Sequence, residues 1–223
     1  EKMDVQEALV ARRSIRAFQQ REVDPQLIEQ ILASASHAPS GVNTQPWQVA
    51  VVTGTACQAL TAEMELRFRE GEKGKMDYQY YPLEWQEPYK GRRRACGLQM
   101  YETLQITRED KARQLDQWAA NYRAFDAPVI LFFLMNREME TGSYLDYGMF
   151  LQSVMLAAQE QGLSTCPQAA LAEYPEVVKR HLGYDQDTVL VAGMALGYAA
   201  EEALINSYRT PREPVENFTR MFP

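Results

Sequence analysis

Two stretches of this chain are apolar at every consecutive position, and they limit its architecture more than anything else in it. Pro128-Val129-Ile130-Leu131-Phe132-Phe133-Leu134-Met135 and Val189 to Leu196 offer no alternate polar face to water, so both belong at the centre of a sheet covered on its two sides. The covering layers must then be amphipathic helices, and the sequence supplies them. Asp4-Val5-Gln6-Glu7 opens a helix over 5–13, with Asp4 as N-cap and Glu7 reaching back. Asp24-Pro25 starts a second, whose buried stripe is Leu27, Ile28, Ile31, Leu32 and Ala35. Val49 to Val52 is a short strand stopped by Thr53-Gly54, and 55–70 patterns as helix. A helix runs from the Arg92-Arg93-Arg94 triplet to Ile106, and Thr107-Arg108-Glu109-Asp110 caps another that reaches about Ala124. After a turn over 136–142, the longest helix spans Ser143 to Gln161 and is closed by Gly162. Its small residues Ala157 and Ala158 place it at the core or at a dimer seam. Pro175 to His181, ended by Gly183, is the last.

Composition narrows the function. At 223 residues, 46% hydrophobic and 24% charged, the chain reads as one compact unit, 1–223, with no linker or repeat. A net charge of −7 and a pI near 5.0 exclude a general nucleic-acid binder. No run reaches the roughly 18 apolar residues of a membrane span. Glu1-Lys2-Met3-Asp4 has no apolar signal region, so cytoplasmic residence is expected. The dispersed Cys57, Cys96 and Cys166 form no disulfide framework, and His37 and His181 have no metal-ligand spacing, so no metal site is expected.

Four stretches have no period, and these are where chemistry can sit. His37 to Trp47 carries two prolines, Gly41, Ser40, Asn43, Thr44 and Gln45 between patterned elements. It is either a plain connection or a binding loop for a flat, polar-edged heterocycle. Arg12-Arg13-Ser14-Ile15-Arg16 puts three guanidinium groups and a hydroxyl within five residues. Read alone, it serves either a phosphate or the negative end of the preceding helix dipole. Residues 71–91 interleave Tyr78, Tyr80, Tyr81, Trp85 and Tyr89 with Pro82 and Pro88, the pattern of a lid, an interface segment or a loosely packed insertion. Gly162 to Ala170 is a further loop, and Arg209-Thr210-Pro211-Arg212 a second arginine cluster. The tail keeps Val215, Phe218, Met221 and Phe222 in polar surroundings, which suggests that it wraps a partner.

Taken in order, Arg12-Arg13-Ser14-Ile15-Arg16, Ala38-Pro39-Ser40-Gly41-Val42-Asn43-Thr44-Gln45-Pro46-Trp47, the Gly162 to Ala170 loop and Arg209-Thr210-Pro211-Arg212-Glu213-Pro214 resemble the FMN-dependent nitroreductase family. The resemblance covers nearly the whole chain. It implies an α+β, nitroreductase-like fold: a central mixed, mostly antiparallel sheet flanked by helices. It also implies an intertwined homodimer with FMN at each of two subunit interfaces, and a C-terminal arm, 198–223, over the partner. By the same resemblance Arg12, Arg13, Ser14 and Arg16 hold the FMN phosphate, ribityl chain and pyrimidine edge, and Arg212 with Arg209 completes the phosphate site. Pro39, Ser40, Gly41 and Asn43 of the partner line the isoalloxazine, and Pro167, Gln168, Ala169 and Ala170 lie along it with a backbone N–H near N5. One common family pattern has Glu-Gly where this chain has Ala169-Ala170.

Side chains then have little chemistry to do, because the cofactor carries it and the protein orients and charges the site. Arg16, with Arg123 as second choice, is expected to stabilise charge on the reduced flavin. The 71–120 insertion resembles that of family members acting on nitrobenzoate-like compounds. Tyr78, Tyr81, Trp85, Tyr89 and Tyr101 would stack a small aromatic substrate and Arg92 would meet its carboxylate. The implied activity is NAD(P)H-dependent, ping-pong reduction of nitroaromatic or quinone-type acceptors. The alternatives are reductive dehalogenation of halophenols and a flavin-binding protein without turnover.

Overall fold

A computed structural model describes residues 3–223; Glu1 and Lys2, the first half of the opening tetrapeptide, lie outside the described residues. The two apolar runs form neighbouring strands, β2 (Val129–Asn136) and β4 (Thr188–Gly197), in the middle of a four-stranded sheet. The edges are β1 (Gln48–Thr53), antiparallel to β2, and β3 (Ser164–Gln168), antiparallel to β4, in the order β1-β2-β4-β3. Among the described residues the one parallel pairing is an isolated bridge from Ser14 to Thr165 on the outer side of β3.

Side chains of β2 alternate between two cores. Ile130, Phe132 and Leu134 enter one, with Leu60 and Met64 of α3 (Gly54–Arg69) and Val177 and Val178 of α7 (Pro175–Leu182). Leu131, Phe133 and Met135 enter the other, with Ile28 and Ile31 of α2 (Pro25–Ala35) and Phe150 and Val154 of α6 (Thr141–Glu160). Each fully buried side chain of this size contributes about 1.5–3 kcal/mol, which is why the strands must be apolar throughout. The remaining helices are α1 (Val5–Ala11), α4 (Tyr89–Thr103) and α5 (Lys111–Ala119). Asp4 accepts from the Glu7 N–H and Glu7 from the Asp4 N–H, the expected capping box.

Two sequence expectations are corrected. The Gly162 to Ala170 loop is β3 followed by a 3-10 turn over 169–172. Its five residues have a full strand partner along one side only and include Pro167, which an edge strand tolerates, so no alternation is visible in the sequence. The helix expected to reach Ala124 begins after Asp110, which caps it through the Arg113 N–H, and stops at Ala119. A tight segment follows over 120–126, with Ala124, Phe125 and Asp126 at φ of 49°, 54° and 58°. These left-handed residues turn the chain sharply into Pro128 and the buried strand.

Candidate flavin and acceptor site

The N-terminal arginine segment is fastened to the sheet from both ends of the chain. The Ile15 N–H donates to Thr165 O at 3.0 Å, extending the ladder beyond β3. The Arg16 N–H donates to Asn206 Oδ1 at 2.9 Å, while Asn206 Nδ2 donates to Ala17 O and Ala200 O, each at 3.0 Å. Ile15 is buried in the core, so Ser14 and Arg16, its neighbours in extended chain, point the other way.

The positive charges sort themselves. Arg13 takes Glu201 at 3.5 Å, whereas Arg12, Arg16, Arg209 and Arg212 pair with no carboxylate among the described residues. Arg209 donates to Val10 O at 2.7 Å and Ala11 O at 3.3 Å, capping α1, and Arg212 is braced by Thr210 Oγ1 at 2.7 Å. Burial and the nearby guanidinium groups of Arg212 and Arg209 depress the Arg12 pKa. Cations gathered without a counter-charge make an anion site.

Beside them opens a cleft of about 560 Å³ whose lining includes Arg16, Cys166, Pro167, Gln168, Ala169 and Ala170. The buried Gln168 donates to Asn121 O at 2.9 Å, but its Oε1 has no partner. An orphaned buried acceptor costs about 1–3 kcal/mol, so this one calls for a ligand N–H. Burial pushes the Cys166 thiol up, against Arg16 and Ser14, so it lines the cleft as a neutral group. The far wall contains Tyr81, Trp118 and Tyr122, and the Tyr122 hydroxyl is bonded to Glu173. Burial and then Glu173 raise the Tyr122 pKa.

Other predicted residues stand elsewhere. Arg123 is held by Glu65 at 2.8 Å and Asp126 at 3.0 Å and lines a different cleft, so it is withdrawn as a flavin contact. Arg92 pairs with Glu213 at 3.3 Å, and its neighbour Arg93 faces the site instead, with its guanidinium 5.1 Å from the Trp85 ring. Tyr78 gives its hydroxyl to Val191 O at 2.6 Å. Trp85, Tyr89 and Tyr101 do not line the cleft, although Trp85 packs on Tyr81 with centroids 5.6 Å apart. Pro39, Ser40, Gly41 and Asn43 are not in it either. Their loop lies against α6, where the Gly41 N–H donates to Asp146 Oδ2 at 3.2 Å, and exposed Val42 is held at a φ of 47°. Asn121, Trp118, Arg93 and Asn206 were not anticipated as site residues; the sequence marks Arg93 only as part of the Arg92-Arg93-Arg94 triplet, and the other three lie far in sequence from the arginine motif with no composition signal.

A sequence model of the Nitroreductase family matches residues 9–198, from the arginine cluster through β4. The chain belongs to the nitroreductase family. Among relatives, this nitroreductase-family chain is 37% identical over 216 residues to a 4-nitrobenzoate reductase of Pseudomonas putida, covering 97% of this chain and 94% of the relative. Among solved structures, it matches the FMN and NADPH-dependent nitroreductase NfnB from Sphigopyxis sp. strain HMH with a TM-score of 0.94 and 41% identity, over 99% of both chains. NfnB from Mycobacterium smegmatis, solved with NADPH, matches with a TM-score of 0.92 and 30% identity over 98% of this chain and 97% of that one. The nitroreductase-like α+β fold is therefore shared in full. Among the described residues no helix is long and apolar enough to cross a membrane, and no group of three or more His, Cys, Asp or Glu side chains is placed to hold a metal.

Proposed function

We propose that this protein is an NAD(P)H-dependent FMN oxidoreductase that reduces nitroaromatic or quinone-type acceptors in two alternating half-reactions. The observation that carries the proposal is the guanidinium cluster of Arg12, Arg209 and Arg212, without a carboxylate partner among the described residues, beside a cleft lined by Gln168, whose buried Oε1 has no partner. A phosphorylated, polar-edged heterocycle satisfies both at once. The named activities of the nitrobenzoate reductase and the NfnB proteins support the same assignment.

Bound FMN supplies the two-electron chemistry. Arg12, Ser14 and Arg212 hold its phosphate and ribityl end, and Arg209 fixes the end of α1 against them. Arg16 places a positive charge at the cleft, where it favours the more negative, reduced form. Gln168 accepts from a ring N–H, and Pro167, Ala169 and Ala170 form the floor. Arg13, neutralised by Glu201, is outside this grip. The acceptor's oxygen takes its proton from water, so no side chain is assigned as general acid or base.

The unit is 1–223 and the working form a homodimer. Pro39, Ser40, Gly41 and Asn43 lie on the α6 side of their own chain, and the positive φ of Val42 is strain of the kind that functional loops retain. We assign this loop to the partner's flavin. Residues 198–223 are the arm, with Val215, Phe218, Met221 and Phe222 exposed. Their seat is the β1 edge of a second copy, where Val51 is exposed beside a cleft of about 740 Å³. The 71–120 segment is the acceptor lid, and the free Cys57, Cys96 and Cys166 suit a reducing cytoplasm. The test is the absorbance spectrum of the purified protein, anaerobic addition of NADPH or NADH, and then a stopped-flow screen of oxidants. Yellow protein, bleaching and reoxidation by a nitroaromatic are expected. Colourless protein that takes up no FMN would remove the assignment.

A further inference from the structure

The aromatic segment has a fixed root and a loose tip, and one carboxylate makes the difference. Strand β4 loses its β3 partner beyond Gly193, and it bulges at Val191, because Phe133 pairs with Ala192 while Leu134 pairs with Leu190. The backbone groups left over are taken by residues of the segment. Asp77 Oδ2 accepts from the Leu190 N–H at 2.9 Å, and the Tyr78 hydroxyl donates to Val191 O. The same Asp77 oxygen lies 2.8 Å from Lys179 Nζ, whose side chain is 3% exposed. Met76 packs on the core that holds α3 and α7, and Tyr78 on the core that holds α2 and α6. The chain therefore crosses the open edge of β4 with Asp77 as its rivet.

From Tyr78 a ladder of rings leads outward. Tyr78 sits 4.7 Å from Tyr144 and 6.2 Å from Tyr80, Tyr80 is 4.6 Å from Tyr81, and Tyr81 is 5.6 Å from Trp85. Tyr81 lines the cleft. Beyond Tyr78, these rings are held by one another and by Arg93, whose guanidinium lies 5.1 Å from the Trp85 ring.

We propose that Asp77 is a positioning residue for the acceptor site: by fixing Tyr78 to β4 and Lys179 it sets where Tyr81 and Trp85 stand, and so how tightly a planar aromatic acceptor is held. It touches neither flavin nor acceptor. The inference rests on the flavin reading for its substrate but not for its geometry, so the test has two arms.

The variants are Asp77→Ala, which leaves Lys179 buried without its counter-charge, and Asp77→Ala with Lys179→Met, which removes the whole ion pair. The second leaves no unpaired buried charge, since Arg137, 3.7 Å from the other Asp77 oxygen, is exposed to water, and it keeps the test usable if the first folds poorly. In the first arm, chymotrypsin is added to the purified protein, whatever its flavin content, and cleavage within 79–88 is timed against global melting. Cleavage is expected to speed up about tenfold or more in the double variant, even where melting returns to that of the parent, since release of a local segment is read independently of global unfolding. In the second arm the holoenzyme is assayed with 4-nitrobenzoate and with ferricyanide, which needs no stacking wall. KM for 4-nitrobenzoate should rise about tenfold, the scale of a misplaced contact, with turnover of ferricyanide within about twofold of the parent. Unchanged cleavage, or a KM that recovers together with melting in the double variant, would overturn the role of Asp77. A colourless parent with accelerated cleavage in the variants would defeat the flavin assignment and leave the rivet standing.

Discussion

The two walls of the cleft are held in different ways. On one side Arg16 and Pro167 to Ala170 ride on backbone ladders: β3 pairs with β4, the Ile15 N–H extends that pairing outward, and Asn206 clasps both ends of the chain. On the other side Tyr81, backed by Trp85, stands on irregular chain whose ties to the sheet stop at Tyr78, beside the core-packed Tyr122. Few buried contacts and no ladder make the Tyr81 segment the part of this second wall that opens at low free energy. The first wall suits a permanent cofactor whose charges must be met at fixed points. The second suits successive visitors of different outline, a nicotinamide and then an acceptor.

The largest effect should come from removing the fixed charges. If Arg12 and Arg212 hold the phosphate as proposed, Arg12→Ala with Arg212→Ala would delete two charge-assisted contacts worth about 1.5–3 kcal/mol each, so FMN affinity should fall by about 10²-fold or more. Titration of FMN fluorescence measures it, with riboflavin, which has no phosphate, as the control. Equal losses for the two ligands would mean that the cluster does not read a phosphate. Next is the floor itself. A Cβ at Gly193 would lie 2.4 Å from the Leu171 Cβ, directly under the turn that carries Ala169 and Ala170. Gly193→Ala should cost about 1–3 kcal/mol of stability by overpacking and should weaken FMN with it. Gly74→Ala, whose Cβ would meet Glu173 O at 2.2 Å, should disturb acceptor kinetics more than FMN retention. If both substitutions acted alike, the distinction between the walls would fail.

Much of the ladder-held wall could be read from the residues, and little of the other. Three arginines around Ser14 stand out in an acidic chain, although taken alone they would also suit the negative end of the preceding helix. Both central strands were legible because burial on two faces excludes polar positions. β3 was not, since an edge strand containing Pro167 shows neither alternation nor an apolar run. On the aromatic side, rings and prolines marked the segment without saying which ring reaches the cleft. Arg93 faces it rather than Arg92 because adjacent helix residues point about 100° apart, and the helix phase is fixed only by where α4 begins, after Pro88. Asp77, Lys179 and Asn206 gave no signal at all. Each owes its importance to a partner far away in sequence, which only the fold brings near.

Arg16 offers a subtler test of the fixed wall. With no carboxylate partner among the described residues, its charge is available to the reduced cofactor. Arg16→Ala should lower the bound flavin's midpoint potential by about 30–60 mV. That follows from about 1.5–3 kcal/mol for one charge-assisted contact and about 30 mV per 1.4 kcal/mol for a two-electron couple. An unchanged potential in a variant that still binds FMN would take this role from Arg16.

The smallest effect concerns what supports the loose wall from behind. Glu63 on α3 binds His181 at 2.6 Å and Arg180, both on α7, the helix that also carries Lys179. Its hydrogen bonds to His181 and then Arg180 hold the carboxyl down at about 2, from an ordinary 4.5. A carboxylate depressed in the folded state contributes stability that is complete above its unfolded pKa and disappears as pH falls through the folded value. The contribution of Glu63 is therefore present above about pH 4.5 and fades toward pH 2. Solvent screening at this partly exposed cluster reduces it to about 1 kcal/mol. Urea unfolding between pH 6 and 3 should show parent and Glu63→Gln converging as the medium is acidified. Because α7 anchors Asp77 through Lys179, chymotryptic cleavage within 79–88 should quicken in Glu63→Gln at pH 7 while FMN retention stays as in the parent. Loss of FMN in step with cleavage would mean that the two walls share one support.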